Sequence, residues 1–270
     1  MPILEEILTH KRDQVAELDE AALRRAAELS PRPLDFLREL RRHAQAGRPG
    51  LIAELKRASP SKGLLAPHLD MLAAAEQYAA NGAAAISVLT DERFFQGRLE
   101  TLQTLRARRE AAGQGLPLLR KEFIISAAQV YQSRAAGADA LLLIAAALPE
   151  DALLADLHAL ALELGLTPLV EVHNRAELER ALRLPGLRLA GINNRDLDTF
   201  RVSLETTESL RPLLPDGIAV AAESGIHNAQ DAARMAALGV DALLVGEALV
   251  TAADLPAQVG RLAGIGEAAA

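Results

Sequence analysis

Lysine is scarce in this sequence. Of 29 basic residues only four are lysine, namely Lys11, Lys56, Lys62 and Lys121, and the rest are arginine. Arginine keeps its proton under all ordinary conditions, whereas a desolvated lysine can release one and serve as a compact acid or base. Three of the four fall in two short stretches, LIAELKRASPSKG (51–63) and LLRKEFII (118–125). Lys56 and Lys121 therefore read as proton-handling groups, and Lys62 as a loop residue that closes over a ligand. Carboxylates and amides of matching kind recur along the chain. Glu54 stands two residues before Lys56, on the same side of an extended segment. Glu171 lies in LVEVHN, Asn193 and Arg195 in GINNRDL, and Glu223 with Ser224 in AESGI. Ammonium, carboxylate and amide groups in one pocket can move protons onto and off the oxygens of a bound polar substrate.

Taken singly, each residue has an ordinary explanation. Glu54 and Lys56 could be a plain ion pair, Lys121 a solvated strand end, and Asn193-Asn194 a turn. Glu171 and Glu223 could pair with Arg195 or cap a following helix. What separates these readings is whether the fold gathers the residues. AESGI (222–226) and VGEAL (245–249) add an anion site: Gly225 and Gly246 let backbone N–H groups approach a phosphate at the start of a short helix.

The elements that must position these groups are legible from the pattern. Short runs of Val, Ile and Leu alternate with Ala/Leu/Arg/Glu segments of helical period, which is the signature of βα units around a parallel sheet. Strands are expected near 51–56, 84–89, 117–121, 139–144, 167–172, 189–193, 218–223 and 241–246. NGAAAISVL, AGADALLLI, GLRLAGINN and LGVDALLVG resemble one another, and their glycines at 82, 137, 186 and 239 recur at roughly the length of two βα units. They mark every second strand of an eightfold repeat, so the fold class is α/β, a single (β/α)8 TIM barrel over 51–270. The G-x-G-x-x-G turn of a doubly wound sheet is missing. Residues 1–50 form an amino-terminal helical extension packed on the barrel, with Leu4, Ile7, Leu8, Val15 and Leu18 at helical spacing. Ser30-Pro31 before LDFLREL predicts a capped second helix. In such barrels the reactive groups occupy the carboxyl ends of strands, which is where the candidate residues fall.

Composition narrows the function. With no cysteine there is neither a disulfide nor a thiolate metal site, and the six histidines show no paired metal-binding spacing, so no metal is expected. A net charge of −7 and 3% aromatic residues disfavour nucleic acid and anionic membranes as partners. There is no apolar run long enough to span a bilayer, and Glu5 and Glu6 stand where a signal peptide would be basic. A cytoplasmic monomer is expected.

AELKRASPSKG, ISVLTDERFFQG, LLRKEFII, LVEVHN, GINNRDL, ESGI and VGEAL, in this order, resemble the indole-3-glycerol phosphate synthases, and the resemblance covers nearly the whole chain, including ILEEILTHKRDQV. It implies ring closure of 1-(2-carboxyphenylamino)-1-deoxyribulose 5-phosphate to indole-3-glycerol phosphate with loss of CO2 and water, a step of tryptophan biosynthesis that needs no cofactor. It implies that Lys121 is the general acid toward the ketone oxygen and that Glu171 transfers a proton during loss of water. Lys56 would bind the anionic substrate and is a second candidate for the dehydration acid, with Glu54 orienting it. Asn193 and Arg195 would hold a hydroxyl and the carboxylate, Glu223 would orient, Ser224 would contact phosphate, and Ser59, Phe123 and Leu142 would line the pocket. The extension would cover part of the mouth. Two residues depart from the family pattern: Glu122 replaces an expected Asp, and Glu247 replaces a common Ser beside the phosphate, where its side chain is expected to point away.

Other readings are a phosphoribosylanthranilate isomerase-like barrel, another phosphate-binding barrel, and a non-catalytic phosphate-ligand sensor. The isomerase chemistry calls for a cysteine, which this chain does not have. A sensor would have no reason to keep lysine in an arginine-rich chain.

Overall fold

The computed structural model describes residues 3–197 and 199–265, so positions 266–270 of the expected barrel span lie outside the described residues. Eight parallel strands close into one barrel: β1 (Gly50–Leu55), β2 (Ala85–Leu89), β3 (Leu118–Lys121), β4 (Ala140–Ile144), β5 (Thr167–Val172), β6 (Leu189–Asn193), β7 (Ala219–Glu223) and β8 (Ala242–Val245). Each begins and ends within a residue or two of its expected span. Runs that are apolar on both faces suit a sheet with side chains inside and helices outside. The glycines at 82, 137, 186 and 239 all have φ between +72° and +95°; Gly82, Gly137 and Gly239 directly follow a helix cap before β2, β4 and β8, whereas Gly186 does not end a helix but lies in the turn that follows the helix Arg175–Ala181 before β6.

Alternation along the strands sets both the core and the site. Ile52, Leu119, Leu142, Leu169, Ala221 and Leu244 belong to one buried cluster that fills the barrel. Two residues beyond four of these, and so on the same face, stand Glu54, Lys121, Glu171 and Glu223. The register sets Asn193 beside Glu223 and Ile144 beside Glu171, so the polar ends share one layer. Gly191 is required there, because a Cβ on it would lie 2.2 Å from Glu223 Oε1. That close approach explains a glycine inside a strand.

The extension contains three helices rather than two: α1 (Ile3–Ala16), α2 (Glu20–Leu29) and α3 (Phe36–Gln45). Ser30 does not cap the helix of LDFLREL; it follows α2, and Asp35 caps α3 by accepting a 2.9 Å hydrogen bond from Arg38 N. Pro31 and Pro33 each fix φ and disfavour a helical residue before them, which delays the start of α3. The helix α2 is inconspicuous in the sequence because its apolar face is mostly alanine (Ala21, Ala22, Ala26, Ala27) and only Ala27 is buried. In α3, Phe36, Leu37 and Leu40 join the barrel-filling cluster, so this helix plugs the barrel while α1 reaches the opposite, carboxyl end. Leu40 is fully buried. Leu40→Ala is expected to cost about 2–5 kcal/mol, read as a lower denaturant midpoint in one cooperative transition. Two separate transitions would mean that the extension is not part of the barrel's folding unit.

Candidate active site

One cavity at the carboxyl end of the strands is lined by Glu54, Lys56, Ser59, Lys121, Phe123, Leu142, Glu171, Asn193, Arg195, Glu223, Ser224, Gly225, Gly246 and Glu247, whereas Lys62 does not line it and reaches it only through its contact with Glu247. At its floor Lys121 Nζ donates to Glu171 Oε2 at 2.7 Å and to Glu223 Oε2 at 3.1 Å. The carboxylates therefore pair with the lysine and not with Arg195. Asn193 Nδ2 donates to Glu171 Oε1 at 3.1 Å, and the same oxygen faces His173 Nε2 at 3.2 Å. The far nitrogen of His173, Nδ1, lies 3.0 Å from Glu177 Oε2.

Burial and neighbours divide the charge unequally. Burial works against the Lys121 ammonium, but Glu171, Glu223 and Glu54 outweigh it and hold its pKa above the ordinary lysine value. Burial also disfavours the Glu171 carboxylate, and here the cations Lys121 and His173 prevail, so its pKa lies well below the usual range. Glu223 goes the other way. Burial, with Glu171 adding to it against the pull of Lys121, pushes its pKa up to about 8. At neutral pH the floor thus holds one ammonium, one carboxylate and one protonated carboxyl group.

His173 carries a consequence for stability. Burial alone would lower its pKa, but the carboxylates of Glu171 and Glu177 raise it to about 10 from an ordinary 6.5. A cation gained on folding stabilises fully below pH 6.5, and that contribution is lost as pH climbs through 10. The slope from one such proton cannot exceed about 1.4 kcal/mol per pH unit. Stability of His173→Gln is expected to fall less steeply across this window than that of the parent chain, as measured by urea unfolding at successive pH values. Parallel curves would show that His173 takes up no proton on folding.

On the β1 side Glu54 is buried and accepts a 3.4 Å hydrogen bond from Ser87. Lys56 Nζ lies 3.5 Å from Glu54 Oε1 and 5.8 Å from the centroid of the Phe95 ring. Phe95 and Phe123 stand 6.1 Å apart, tilted by 36°, and form an aromatic wall beside the lysine. A Cβ on Gly246 would come within 2.6 Å of Glu54 Oε1, so this glycine makes room for the carboxylate in addition to opening the backbone at β8. Across the cavity Ser224 and Gly225 have φ of +64° and +79°. A left-handed serine is strained, and such strain concentrates where a side chain must meet a ligand.

One expectation fails. Glu247 does not point away from the cavity; it lines it, hydrogen-bonds Lys62 Nζ and stands 3.9 Å from Arg195. Burial opposes its charge, but the hydrogen bond from Lys62 overrules this and lowers its pKa. Two cations make an inward carboxylate tolerable. Lys62 itself sits on a short hairpin after β1, where Ala58–Ser59 pairs with Gly63–Leu64, and its contact bridges the ends of β1 and β8.

As the resemblance implied for the extension, Ile3, Leu4 and Ile7 of α1 line the mouth of the cavity. Leu197 and Phe200 after β6 and His227 after β7 line it too, and the sequence did not announce them. Phe95 lay within ISVLTDERFFQG and was legible in principle; the α1 residues reach the site only through tertiary docking.

The comparisons agree with this geometry. A family model described as indole-3-glycerol phosphate synthase matches residues 4–262. The chain belongs to the indole-3-glycerol phosphate synthase family. It is similar to the indole-3-glycerol phosphate synthase of Roseiflexus sp. (strain RS-1), at 52% identity over 97% of this chain and 98% of that protein. The synthase of Laribacter hongkongensis (strain HLHK9) is 48% identical over 96% and 98%. Among solved structures, 3-hexulose-6-phosphate synthase from Salmonella typhimurium superposes with a TM-score of 0.62 at 16% identity, covering 80% of this chain and 97% of that one. The 3-keto-L-gulonate-6-phosphate decarboxylase from Vibrio cholerae gives 0.59 at 19%, over 80% and 98%. These two share the barrel. For a member of the synthase family, the departure at Glu122 now has a location: the residue borders the cavity, and its buried carboxylate faces Lys11.

Proposed function

We propose that this chain converts 1-(2-carboxyphenylamino)-1-deoxyribulose 5-phosphate to indole-3-glycerol phosphate, CO2 and water. The observation that carries this is the buried Lys121 ammonium, held between two carboxylates of unlike protonation on the floor of a cavity with aromatic and anion-binding sides. The substrate has an aromatic ring at one end and a phosphate at the other. The ring fits beside Phe95 and Phe123, and the phosphate fits the ends of β7 and β8 at Ser224, Gly225 and Gly246. Lys56 and Arg195 offer positive charge to the carboxylate. A flexible substrate held at both ends folds its ketone over Lys121, and this loss of freedom before reaction is a large part of the rate gain.

Ring closure then needs a proton at the ketone oxygen as the ring carbon attacks. Lys121 supplies it, being an ammonium at any working pH and facing an alkoxide more basic than itself. Loss of CO2 follows, since the dearomatised ring accepts the electron pair. Loss of water requires a base and an acid. Glu171 is the base, kept anionic by its neighbours; Lys56 and Lys121 are the acids within reach, with Glu54 orienting the former and Asn193 positioning Glu171. The cavity walls from α1 help exclude water.

Among the described residues no helix is long and apolar enough to cross a membrane. The chain is placed as a monomer in the cytoplasm. The reaction is tested by following indole fluorescence on mixing the pure chain with the substrate. Growth of that signal with release of CO2 is expected, and its absence would leave a phosphate-binding barrel without this activity.

A further inference from the structure

The fourth lysine, Lys11 of α1, takes no part in the reaction described above, yet it is 3% exposed. Its Nζ lies 2.8 Å from Asp91 Oδ2 and 2.9 Å from Glu122 Oε1, and it donates to Gln14 Oε1 at 2.9 Å. These two carboxylates come from the loop after β2 and the end of β3. Their remaining contacts lead to the aromatic wall. Asp91 Oδ1 accepts a 2.6 Å hydrogen bond from Phe94 N and caps α4 (Glu92–Phe95), the turn that presents Phe95. Glu122 Oε1 accepts from Phe123 N at 2.8 Å, and Glu122 Oε2 from Thr90 Oγ1 at 2.7 Å.

A buried carboxylate must be paired or become protonated. Asp91 Oδ2 is buried and has no hydrogen-bond donor of its own, so the Lys11 ammonium is the charge that balances it. Without Lys11, Glu122 would keep only Arg120, whose Nη2 lies 3.8 Å from its Oε2, while Asp91 Oδ2 would have no cation at all, and relief would come by protonation of Asp91 or by movement of residues 91–95 and 122–123. Both outcomes disturb the backbone that carries Phe95 and Phe123. A compact ammonium can meet three acceptors from three directions, which a planar guanidinium does not do. This accounts for a lysine here in a chain that otherwise prefers arginine.

We propose that Lys11 is a positioning residue that fixes Phe95 and Phe123 through Asp91 and Glu122, so that docking of the amino-terminal helix and formation of the aromatic subsite are one event. The inference rests on the proposed function for the identity of the ring, but not for the coupling itself.

Lys11→Met keeps the length of the side chain and removes its charge. Two ligands separate a subsite effect from general damage: indole-3-glycerol phosphate, which carries the ring, and glycerol 3-phosphate, which does not. The expected result is a rise of about tenfold or more in KM and in the Kd of the ring-bearing ligand. The Kd of glycerol 3-phosphate should change by less than about twofold, and kcat should fall less than KM rises. Hydrogen exchange at the amides of Phe94 and Phe123 should quicken, a readout that needs no ligand. Equal losses for both ligands, or unchanged exchange at those amides, would overturn the proposal. If Lys11→Met does not fold, Lys11→Met/Asp91→Asn removes one buried charge of each sign and is judged by the same ratio. Absence of turnover in the parent chain would count against the proposed reaction; the exchange result would still decide the coupling.

Discussion

Lys121→Arg is expected to lower kcat by a factor of roughly a hundred or more while leaving the Kd of indole-3-glycerol phosphate within a few-fold of the parent. The substitution keeps a positive charge, so whatever Lys121 contributes as a mere cation survives. What it removes is the ability to give up a proton, because a guanidinium stays protonated above pH 12. The geometry adds a second loss. The ammonium fits between Glu171 Oε2 at 2.7 Å and Glu223 Oε2 at 3.1 Å as a point donor. A planar fork would have to choose one carboxylate, probing where a substrate oxygen should sit. Steady-state kinetics with the carboxyphenylamino substrate decide the matter. A kcat within threefold of the parent would mean that charge alone suffices and that the acid lies elsewhere, with Lys56 next to be tried.

Much of the barrel could be read before any coordinates because the repeat is carried by residues with one physical reason each. Glycines at 82, 137, 186 and 239 must be left-handed, and the apolar runs after them must be buried on both faces. The site followed from the same periodicity, since a two-residue step from a lumen isoleucine, leucine or alanine fixes where Glu54, Lys121, Glu171 and Glu223 project. The failures have a common cause. The helix α2 is held by tertiary packing against the helix Ala127–Ala135, a contact no local spacing announces. Lys11 is buried by partners more than 75 residues away in the chain, and no local spacing announces such a contact. Glu247 was expected to avoid a phosphate site on charge alone; Lys62 and Arg195, brought over from β1 and β6, reverse that balance. Local rules thus predict backbone and direction well, and they fail where charge is compensated across the barrel.

The carboxylates that flank Lys121 should not respond alike. Glu171→Gln is expected to reduce kcat by about 10²–10⁴, because the amide cannot accept the proton released with water and Lys121 loses its shorter contact. Glu223 is already protonated at neutral pH, with its pKa pushed up to about 8, so a neutral glutamine imitates its resting form. Glu223→Gln should therefore cost no more than about tenfold at pH 7. The pH dependence gives the sharper contrast. As pH rises through about 8 in the parent chain, Glu223 ionises and places a second negative charge beside Lys121, which binds its proton more firmly and becomes a weaker acid. Since kcat/KM reports groups of the free enzyme, it should fall on the alkaline side with an apparent pKa near that value, and this limb should be missing in Glu223→Gln. A limb that persists unchanged in the variant would assign the ionisation to another group and would make Glu223 a structural partner of the lysine and nothing more.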